Sequence, residues 1–257
     1  MSPTQLRVEI RQETPAPRDL ATNIEHVRTT IVRSSADLIA FPELYLTGYQ
    51  TGQLDELAMT EHDARLDPLR EACRETQTGL LVGFISPLAT GYSDAYLAID
   101  TDGRTLEAIH KTHLFGTERD AFRAGERIDT ITLCGTQIGV INCFELEFPE
   151  VARTLALHGA ELLIAGSANM RPHERDHRIA AQARALENRL PLAYANRVGT
   201  ESGHSFCGMS CAVSPTGEML GALDAHTPGS LVVDFTIAAP ADAFADMLTQ
   251  RRPSLYS

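Results

Sequence analysis

The chain has 257 residues, of which 43% are hydrophobic and 22% charged, with a formal net charge of −12 and a pI near 5.2. Nucleic-acid binding needs clustered Lys and Arg to neutralise phosphates, so this acidic balance excludes nucleic acid as an expected partner. The composition is that of a globular protein, and without a long Gly/Ser/Pro linker we expect one domain over residues 1–257.

The sequence predicts a cytoplasmic protein that does not insert into a membrane. Its N-terminus, "MSPTQLRVEIRQ", has no basic region followed by an apolar one, and no run approaches the roughly 20 apolar residues of a membrane span. The five cysteines are an odd number without a CxxC pair, so we expect no disulfide framework.

The first part of the chain alternates strand and helix patterns. "LRVEIRQ" alternates apolar and polar residues, residues 19–36 carry apolar side chains at helical spacing, and "DLIAFPE" is typical of a buried strand. A helix predicted over residues 54–76 leads to the strand "GLLVGFISPL". This order predicts a βαβαβ unit.

Further strands and helices follow, including a hairpin at Gly135, a helix from Pro149 to Gly159 and a helix over residues 172–190. The last helix carries one apolar stripe, which consists of Ile179, Ala183, Leu186 and Leu190. Two groups of strands with flanking helices predict two sheets packed face to face with helices outside, because each sheet must cover both faces.

Cys143 is the first residue that could carry chemistry. It ends the apolar run "GVINC" just before the helix that Pro149 opens, and three glutamates follow it in "FELEFPE". A strand-to-helix turn commonly displays a nucleophile and leaves backbone N–H groups free for an oxyanion. Acidic neighbours disfavour a thiolate, however, unless a cation or proton acceptor lies close by. The alternative is a buried structural thiol.

Two further residues could supply that cation and that acceptor. Lys111 ends the strand-like "EAIHK", and Glu43 ends "DLIAFPE". A buried Glu43 could take the thiol proton if burial keeps its pKa high, and Lys111 could stabilise the oxyanion together with the N–H of Phe144. Taken singly, Lys111 could be a surface lysine and Glu43 a strand-end acid capping a loop.

Three segments resemble, in order, the motif blocks of the nitrilase superfamily of carbon-nitrogen hydrolases: "FPELYLTGY", "HKTHLFGTERDAF" and "GVINCFELEFPEVARTLALHGAELLI". The resemblance implies that Glu43, Lys111 and Cys143 are the catalytic triad and that Glu118 is a fourth catalytic residue, which positions Lys111 and could assist proton transfer. It also implies a four-layer αββα sandwich, a homodimer or higher homo-oligomer formed through helices near the active site, and no metal or organic cofactor.

The sequence is most similar to the branch of aliphatic amidases that includes 5-aminopentanamidase, which implies hydrolysis of a small linear amide through a cysteine thioester. It departs from the usual pattern at Ile109 and His110 before the lysine, at Phe144 and Glu145 after the cysteine, and at "AGSA", where a proline is common. These departures concern the substrate pocket. N-carbamoyl amine and nitrile hydrolysis are therefore the alternatives within the family.

Several residues are candidates for contacting the substrate, and an acidic one could hold a substrate ammonium. They are Tyr49, Phe144, Glu145, Asn169 and Met170, with Glu147 as a further candidate. The alternative for Glu147 is a structural role, and Met170 could equally belong to the core.

Two other interpretations of the sequence are a zinc hydrolase and a protein without catalytic activity. "HERDH", residues 173–177, matches the zinc signature HExxH, but the two histidines point about 110° and 150° away from the apolar stripe at 100° per residue. We therefore expect His173 and His177 to face solvent or the rim of a cleft and to bind no metal. The other reading is a catalytically silent binding scaffold, which gains nothing from keeping an acid, a lysine and a thiol together.

Overall fold

A computed structural model describes residues 4–237 and 246–256, which contain two six-stranded sheets, one two-stranded sheet and five α-helices. The expected domain over 1–257 includes residues 1–3, 238–245 and 257, which lie outside the described ones. None of the helices in the described ranges is long and apolar enough to cross a bilayer.

The strands are β1 Thr4–Gln12, β2 Leu38–Ala40, β3 Gly79–Leu88, β4 Gly91–Ile99, β5 Ile109–His110, β6 Thr130–Leu133, β7 Thr136–Asn142, β8 Leu162–Ser167, β9 Leu192–Asn196, β10 Val198–Glu201, β11 His204–Cys207, β12 Cys211–Val213, β13 Met219–Ala222 and β14 Gly229–Ile237. The helices are α1 Leu20–Arg33, α2 Asp67–Thr76, α3 Glu118–Ala121, α4 Pro149–Leu157 and α5 Glu174–Asn188.

The first sheet has the order β14-β1-β2-β3-β4-β5, in which β1, β2 and β3 are parallel and are joined by α1 and α2. The predicted βαβαβ unit is therefore confirmed. Helix α2 begins at Asp67 rather than at residue 54, because Asp63 caps a separate 3₁₀ turn and Pro68 then occupies the first turn of the helix.

The second sheet has the order β13-β12-β9-β8-β7-β6, and its parallel strands β7, β8 and β9 are joined by α4 and α5. Strands β6 and β7 form the predicted hairpin, with Cys134 and Gly135 in the left-handed region at its turn. Each sheet thus repeats the same strand and helix alternation, and the parallel strands of both end near the site.

The core separates into layers that follow the alternation of side chains along each strand. In β2, Leu38 and Ala40 pack against the second sheet, whereas Ile39 packs under α1 and α2. Helices α4 and α5 cover the outer face of the second sheet, with Leu155 and Ala181 among the buried contacts. The order of layers is helix, sheet, sheet, helix, which confirms the predicted αββα sandwich.

The predicted apolar stripe of α5 was wrong. Ile179 and Leu186 are 59% and 39% exposed, and the buried face instead carries Ala181 and Ala185 together with His177. Small alanines allow the helix to lie close to the sheet, and the buried polar side chain finds hydrogen-bond partners below it. This rotation turns His177 into the interior.

Candidate active site

Cys143 lies at the base of a cleft, immediately after strand β7. Its φ of 47° is in the left-handed region, and it opens a 3₁₀ turn, Cys143–Glu147, that leads into α4 at Pro149. The chain therefore turns sharply at the cysteine and displays its side chain above the sheet edge. This is the strand-to-helix turn that the sequence predicted.

Glu43 reaches the same place from the end of β2 in the other sheet. Gly83 of β3 allows this approach, because a Cβ at position 83 would clash with the backbone of Glu43 and Leu44. The Glu43 carboxylate is fully buried, accepts a hydrogen bond from the Ala168 N–H at 2.8 Å, and is bonded to both Lys111 and Cys143. The acid is thus fixed against the thiol and the ammonium.

The Lys111 ammonium is fully buried among three carboxylates. It is paired with Glu43, lies 2.8 Å from Glu118 Oε2 and 3.4 Å from Asp94 Oδ2. Burial alone lowers the pKa of a lysine, but the three acids outweigh it and hold the pKa of Lys111 well above its ordinary value. Lys111 therefore remains a fixed positive charge.

Lys111 is also the only lysine in the sequence, since the other basic residues are arginines. An arginine has a larger, planar head group with a rigid fork of donors, whereas an ammonium is a compact charge with three rotatable donors. A chain that uses arginine everywhere else and keeps one lysine in a buried position gives a sequence signal for a special role.

Asp94 is a site residue that sequence reasoning missed. It lies on β4, is fully buried, and accepts a hydrogen bond from Asn142 Nδ2 at 3.0 Å. Burial and the nearby Glu43 charge raise its pKa well above the ordinary value of a carboxyl. The only signal was an acid within the otherwise apolar strand "YSDAYLAI", which says nothing about its partner.

The thiol and its acid neighbour have pKa values displaced in opposite directions. Burial and the Glu43 charge raise the pKa of Cys143 well above the ordinary thiol value, against the lowering effects of Lys111 and Ser167. Burial also raises the pKa of Glu43, but the Lys111 charge and hydrogen bonds from Asp94, Lys111 and Cys143 bring it below its ordinary value. The expectation that burial keeps the Glu43 pKa high is therefore not met.

Glu118, the first residue of α3, holds Lys111 from the far side. Its Oε1 accepts from the Tyr49 hydroxyl at 2.7 Å, and its Oε2 accepts from the Phe115 N–H at 2.8 Å as well as from the ammonium. Burial and the adjacent carboxylates raise the pKa of Tyr49, so its hydroxyl remains a donor. The lysine is thereby oriented by bonds that do not involve Glu43.

A cleft of about 290 Å³, mouth included, opens above Cys143. Of the residues proposed from sequence, its lining contains Tyr49, Glu118, Cys143, Phe144, Glu147, Asn169 and Met170. Phe115, Ala168, His173 and His177 also line it and were not among the substrate-binding candidates.

Glu145 does not line this cleft, contrary to the prediction that it contacts substrate. Its Oε2 accepts from the Asn142 N–H at 2.7 Å, and its Oε1 accepts from the Thr112 N–H at 2.6 Å and the Thr112 hydroxyl at 2.7 Å. With both oxygens occupied, the buried carboxylate ties the segment after Lys111 to the turn that carries Cys143.

His177 is buried rather than at the solvent-facing rim. Its Nδ1 lies 2.9 Å from the Tyr194 hydroxyl and 3.3 Å from Ser167 Oγ, and its Nε2 lies 3.4 Å from Glu147 Oε1. Ser167 Oγ in turn lies 3.2 Å from Cys143 Sγ. His173, by contrast, lines the cleft with a side chain that is 41% exposed, as expected. The prediction failed for His177 because it placed the wrong face of α5 against the sheet.

Among the residues that the structure describes, one cluster of acids has the spacing of a metal site, but a side-chain cation already fills it. Ligand oxygens of Glu43, Asp94 and Glu118 lie within 4.8 Å of one another, and Lys111 Nζ contacts all three residues. Within residues 4–237 and 246–256, His173 and His177 do not join a group of three potential ligands. The HERDH histidines thus have no third ligand among the described residues.

Comparison with known proteins places this geometry in a family. The profile of the carbon-nitrogen hydrolases matches residues 7–241. An (R)-stereoselective amidase from Pseudomonas sp. is 34% identical over 219 residues, which cover 84% of this chain and 80% of that relative. The crystal structure of an amidase from Nesterenkonia sp. superposes with a TM-score of 0.87 at 30% identity, covering 99% of this chain and 96% of that one.

A variant of the Nesterenkonia sp. AN1 amidase, with a TM-score of 0.86 and 31% identity over 97% of this chain and 95% of its own, carries the acetamide moiety of fluoroacetamide on its active-site cysteine. These likenesses show that the chain belongs to the carbon-nitrogen hydrolase family of the nitrilase superfamily. It is a carbon-nitrogen hydrolase of the amidase type.

Proposed function

We propose that this protein hydrolyses a small linear amide to a carboxylate and ammonia, with Cys143 as nucleophile, Glu43 as general base and Lys111 as oxyanion stabiliser. The observation that supports this most is the contact of the buried Glu43 carboxylate with both the Cys143 thiol and the Lys111 ammonium, at the base of a cleft. The acetamide adduct on the active-site cysteine of the Nesterenkonia amidase variant supports the same route for Cys143.

In the acylation half of the reaction, the Cys143 sulfur attacks the amide carbonyl while its proton passes to Glu43. The carbonyl electron pair moves to oxygen, and the oxyanion is stabilised by Lys111 and by the N–H of Phe144. The developing oxyanion offsets part of the field that Lys111 exerts on Glu43. The pKa of Glu43 is therefore lowered less than in the resting site, and Glu43 becomes a better base as the negative charge develops. Glu43 then protonates the departing nitrogen, and ammonia leaves the thioester.

In the second half, Glu43 takes a proton from water as the water oxygen attacks the thioester carbon. The tetrahedral intermediate collapses, the C–S bond breaks with its electron pair on sulfur, and the carboxylic acid is released. Glu43 then returns its proton to the Cys143 sulfur, which restores the starting thiol and carboxylate. Glu118 keeps Lys111 in place through both halves, because its bonds to Tyr49 and Phe115 do not change with the protonation of Glu43. Residues of this chain account for every proton transfer.

The cleft favours a short acyl chain with a polar end. Phe115 and Phe144 supply apolar walls, and Glu147, whose side chain is 33% exposed, places a carboxylate in the lining. That carboxylate suits an amide whose far end carries an ammonium, an ω-amino amide. Carbamoyl amines and nitriles would use the same nucleophile and differ only in how the cleft holds them.

Ammonia release from a panel of aliphatic amides, ω-amino amides, carbamoyl amines and nitriles tests the proposal. We expect turnover of small linear amides, and intact-mass spectrometry should find an acyl or haloacetamide-derived adduct on wild type but not on Cys143→Ala. Cys211→Ser is a suitable control, because Cys211 is buried in the second sheet and does not line the cleft. A protein that binds amides without releasing ammonia would instead be a silent scaffold.

We further propose a homodimer in which helix α5 lies in the interface, with the described chain acting as one domain. The exposure of Ile179 and Leu186 on this helix supports the proposal, because such side chains gain from burial against a second copy. Sedimentation of wild type and of Ile179→Glu tests it. A monomer for both would contradict it, and a dimer for wild type alone would support it.

A further inference from the structure

Cys143 has polar neighbours on two opposite sides, and the proposed mechanism uses only one of them. On the unused side, Ser167 Oγ lies 3.2 Å from Cys143 Sγ at the end of β8. Behind it, His177 on α5 faces Ser167 through Nδ1 and Glu147 through Nε2. We call Cys143, Ser167, His177 and Glu147 the serine–histidine chain: successive polar atoms lie 3.2, 3.3 and 3.4 Å apart from the sulfur to a carboxylate in the cleft wall.

The partners of His177 define how protons are arranged along this chain. Nε2 faces the Glu147 carboxylate, which can only accept, so Nε2 carries the hydrogen and Nδ1 is the acceptor. The Tyr194 hydroxyl, at 2.9 Å, is the nearer donor to Nδ1, while Ser167 lies 3.3 Å away. Tyr194 is therefore the stronger partner of Nδ1, and the Ser167 hydroxyl keeps only a longer contact with it.

In this arrangement the Ser167 hydroxyl can donate its hydrogen bond to the Cys143 sulfur. Its oxygen accepts the Asn169 N–H at 3.0 Å, and Ser167 is fully buried, so water does not compete for its hydroxyl. The Tyr194 oxygen is also within its reach, but a thiolate is charged and attracts a hydroxyl donor more strongly than a phenol oxygen does. Ser167 thus donates to Cys143 most strongly when the sulfur is ionised.

We propose that Ser167 is a catalytic hydrogen-bond donor that stabilises the Cys143 thiolate, and that His177 is a positioning residue that keeps the Ser167 hydroxyl directed at the sulfur. This step involves no new covalent bond: the thiol proton still goes to Glu43, and Ser167 keeps its own. The charges of Glu43 and Glu118 both disfavour ionisation of the Cys143 thiol. The hydrogen bond from Ser167 offsets part of this effect.

The most direct test is the pH dependence of alkylation of Cys143 by iodoacetamide, which reports thiolate formation without any amide substrate. Other groups that face the sulfur or its neighbours also titrate or carry charge: Glu43, Lys111, Glu118, Tyr96, Tyr194, His177 and Glu147. They remain in Ser167→Ala, so the difference from wild type isolates the hydroxyl. Labelling is followed by mass spectrometry at the Cys143 peptide.

For Ser167→Ala we expect the alkylation midpoint to rise by about one pH unit, since a hydrogen bond to a charged group is worth about that much. His177→Phe keeps a ring against Tyr194 and should shift the midpoint upward by less. In the double variant the shift should equal that of Ser167→Ala alone, because the histidine acts through the serine. Ser167→Thr, which keeps the hydroxyl, should restore most of the wild-type midpoint.

Ser210→Ala is the matched control, because Ser210 is also fully buried and hydrogen-bonded but does not contact Cys143. Its midpoint should equal that of wild type. An unchanged midpoint in Ser167→Ala, or additive shifts in the double variant, would overturn the inference. The inference rests on a cysteine nucleophile, as the proposed function does, but the alkylation assay and ammonia release fail separately: a protein with shifted midpoints and no amide turnover would refute only the proposed function.

Discussion

The groups on the two sides of Cys143 differ in charge. On the side of the first sheet, Glu43, Asp94 and Lys111 are fully buried and charged or acidic, and their stability depends on mutual pairing. On the side of the second sheet, Ser167 and Tyr194 are neutral and linked by hydrogen bonds to His177. The charged side can move protons and stabilise an oxyanion, whereas the neutral side can support the sulfur without adding net charge.

The largest expected effect lies on the charged side. Lys111→Met removes the cation that we propose stabilises the oxyanion, and it should lower kcat by on the order of 10² to 10³. Lys111→Arg should not restore activity, because a guanidinium cannot occupy the same space among three carboxylates. Steady-state kinetics with the best amide checks this, and Arg119→Lys, on the exposed surface of α3, is the control. Wild-type turnover in Lys111→Arg would contradict this prediction, because it would show that the charged side does not depend on a compact ammonium.

The second prediction concerns the position of the Glu43 carboxylate on the charged side. Gly83→Ala places a methyl group against the backbone of Glu43 and Leu44, so it should displace the carboxylate by part of an ångström. We expect kcat to fall by about 10², since misplacement of that size is costly, and stability to fall by about 3 kcal/mol. Gly52→Ala meets nothing within 4 Å and should change neither. Full activity in Gly83→Ala would show that Glu43 does not need this exact approach of the strands.

The third prediction concerns Asp94 and the pH dependence of the free energy of unfolding. Its pKa is raised in the folded protein, so the native state binds more protons than the unfolded state above about pH 4. The contribution of Asp94 to the free energy of unfolding is therefore lost as pH rises from about 4 through the folded pKa. Asp94→Asn, which cannot ionise, should become more stable relative to wild type over that interval, by up to about 1.4 kcal/mol per pH unit.

Urea unfolding of wild type and Asp94→Asn at several pH values measures this difference. Asp94→Ala separates charge from hydrogen bonding, because it also leaves the Asn142 amide without its acceptor and should be destabilised at every pH. A stability difference between wild type and Asp94→Asn that does not change with pH would mean that Asp94 is ionised in the folded protein.

The smallest effect concerns the link between the neutral side and the substrate. Glu147→Gln keeps a polar side chain facing His177 but removes the negative charge from the cleft wall. It should lower kcat/KM for an ω-amino amide by about tenfold, the value of one partly exposed ion pair, and leave a neutral aliphatic amide nearly unchanged. Equal losses for both substrates would assign Glu147 a structural role instead.

The sequence allowed the charged side to be predicted because its parts lie in recognisable local patterns. Cys143 and Glu43 each follow an apolar run at a strand end, and the parallel strands bring those ends together. The layered fold followed in the same way, from alternating strands and helices. Asp94 was missed because nothing near it in the chain indicates the lysine that it faces.

The neutral side could not be predicted for a different reason. Its geometry depends on which face of α5 meets the sheet, and the apolar residues Ile179 and Leu186 gave the wrong face. The buried face is held by small alanines and by hydrogen bonds of His177, which no periodicity of apolar residues reveals. The departure "AGSA" marked the position of Ser167 but not its partners.

The single lysine gives this protein an unusual spectroscopic advantage. Protein grown with ¹⁵N-lysine would carry one labelled side chain, and that label sits on the ammonium between Glu43, Asp94 and Glu118. Its resonance would need no assignment by mutagenesis, and because the group is shielded from water its protons should exchange slowly enough to observe. Ligand binding, acylation of Cys143 and the titration of the neighbouring acids could each be followed from one signal at the centre of the site.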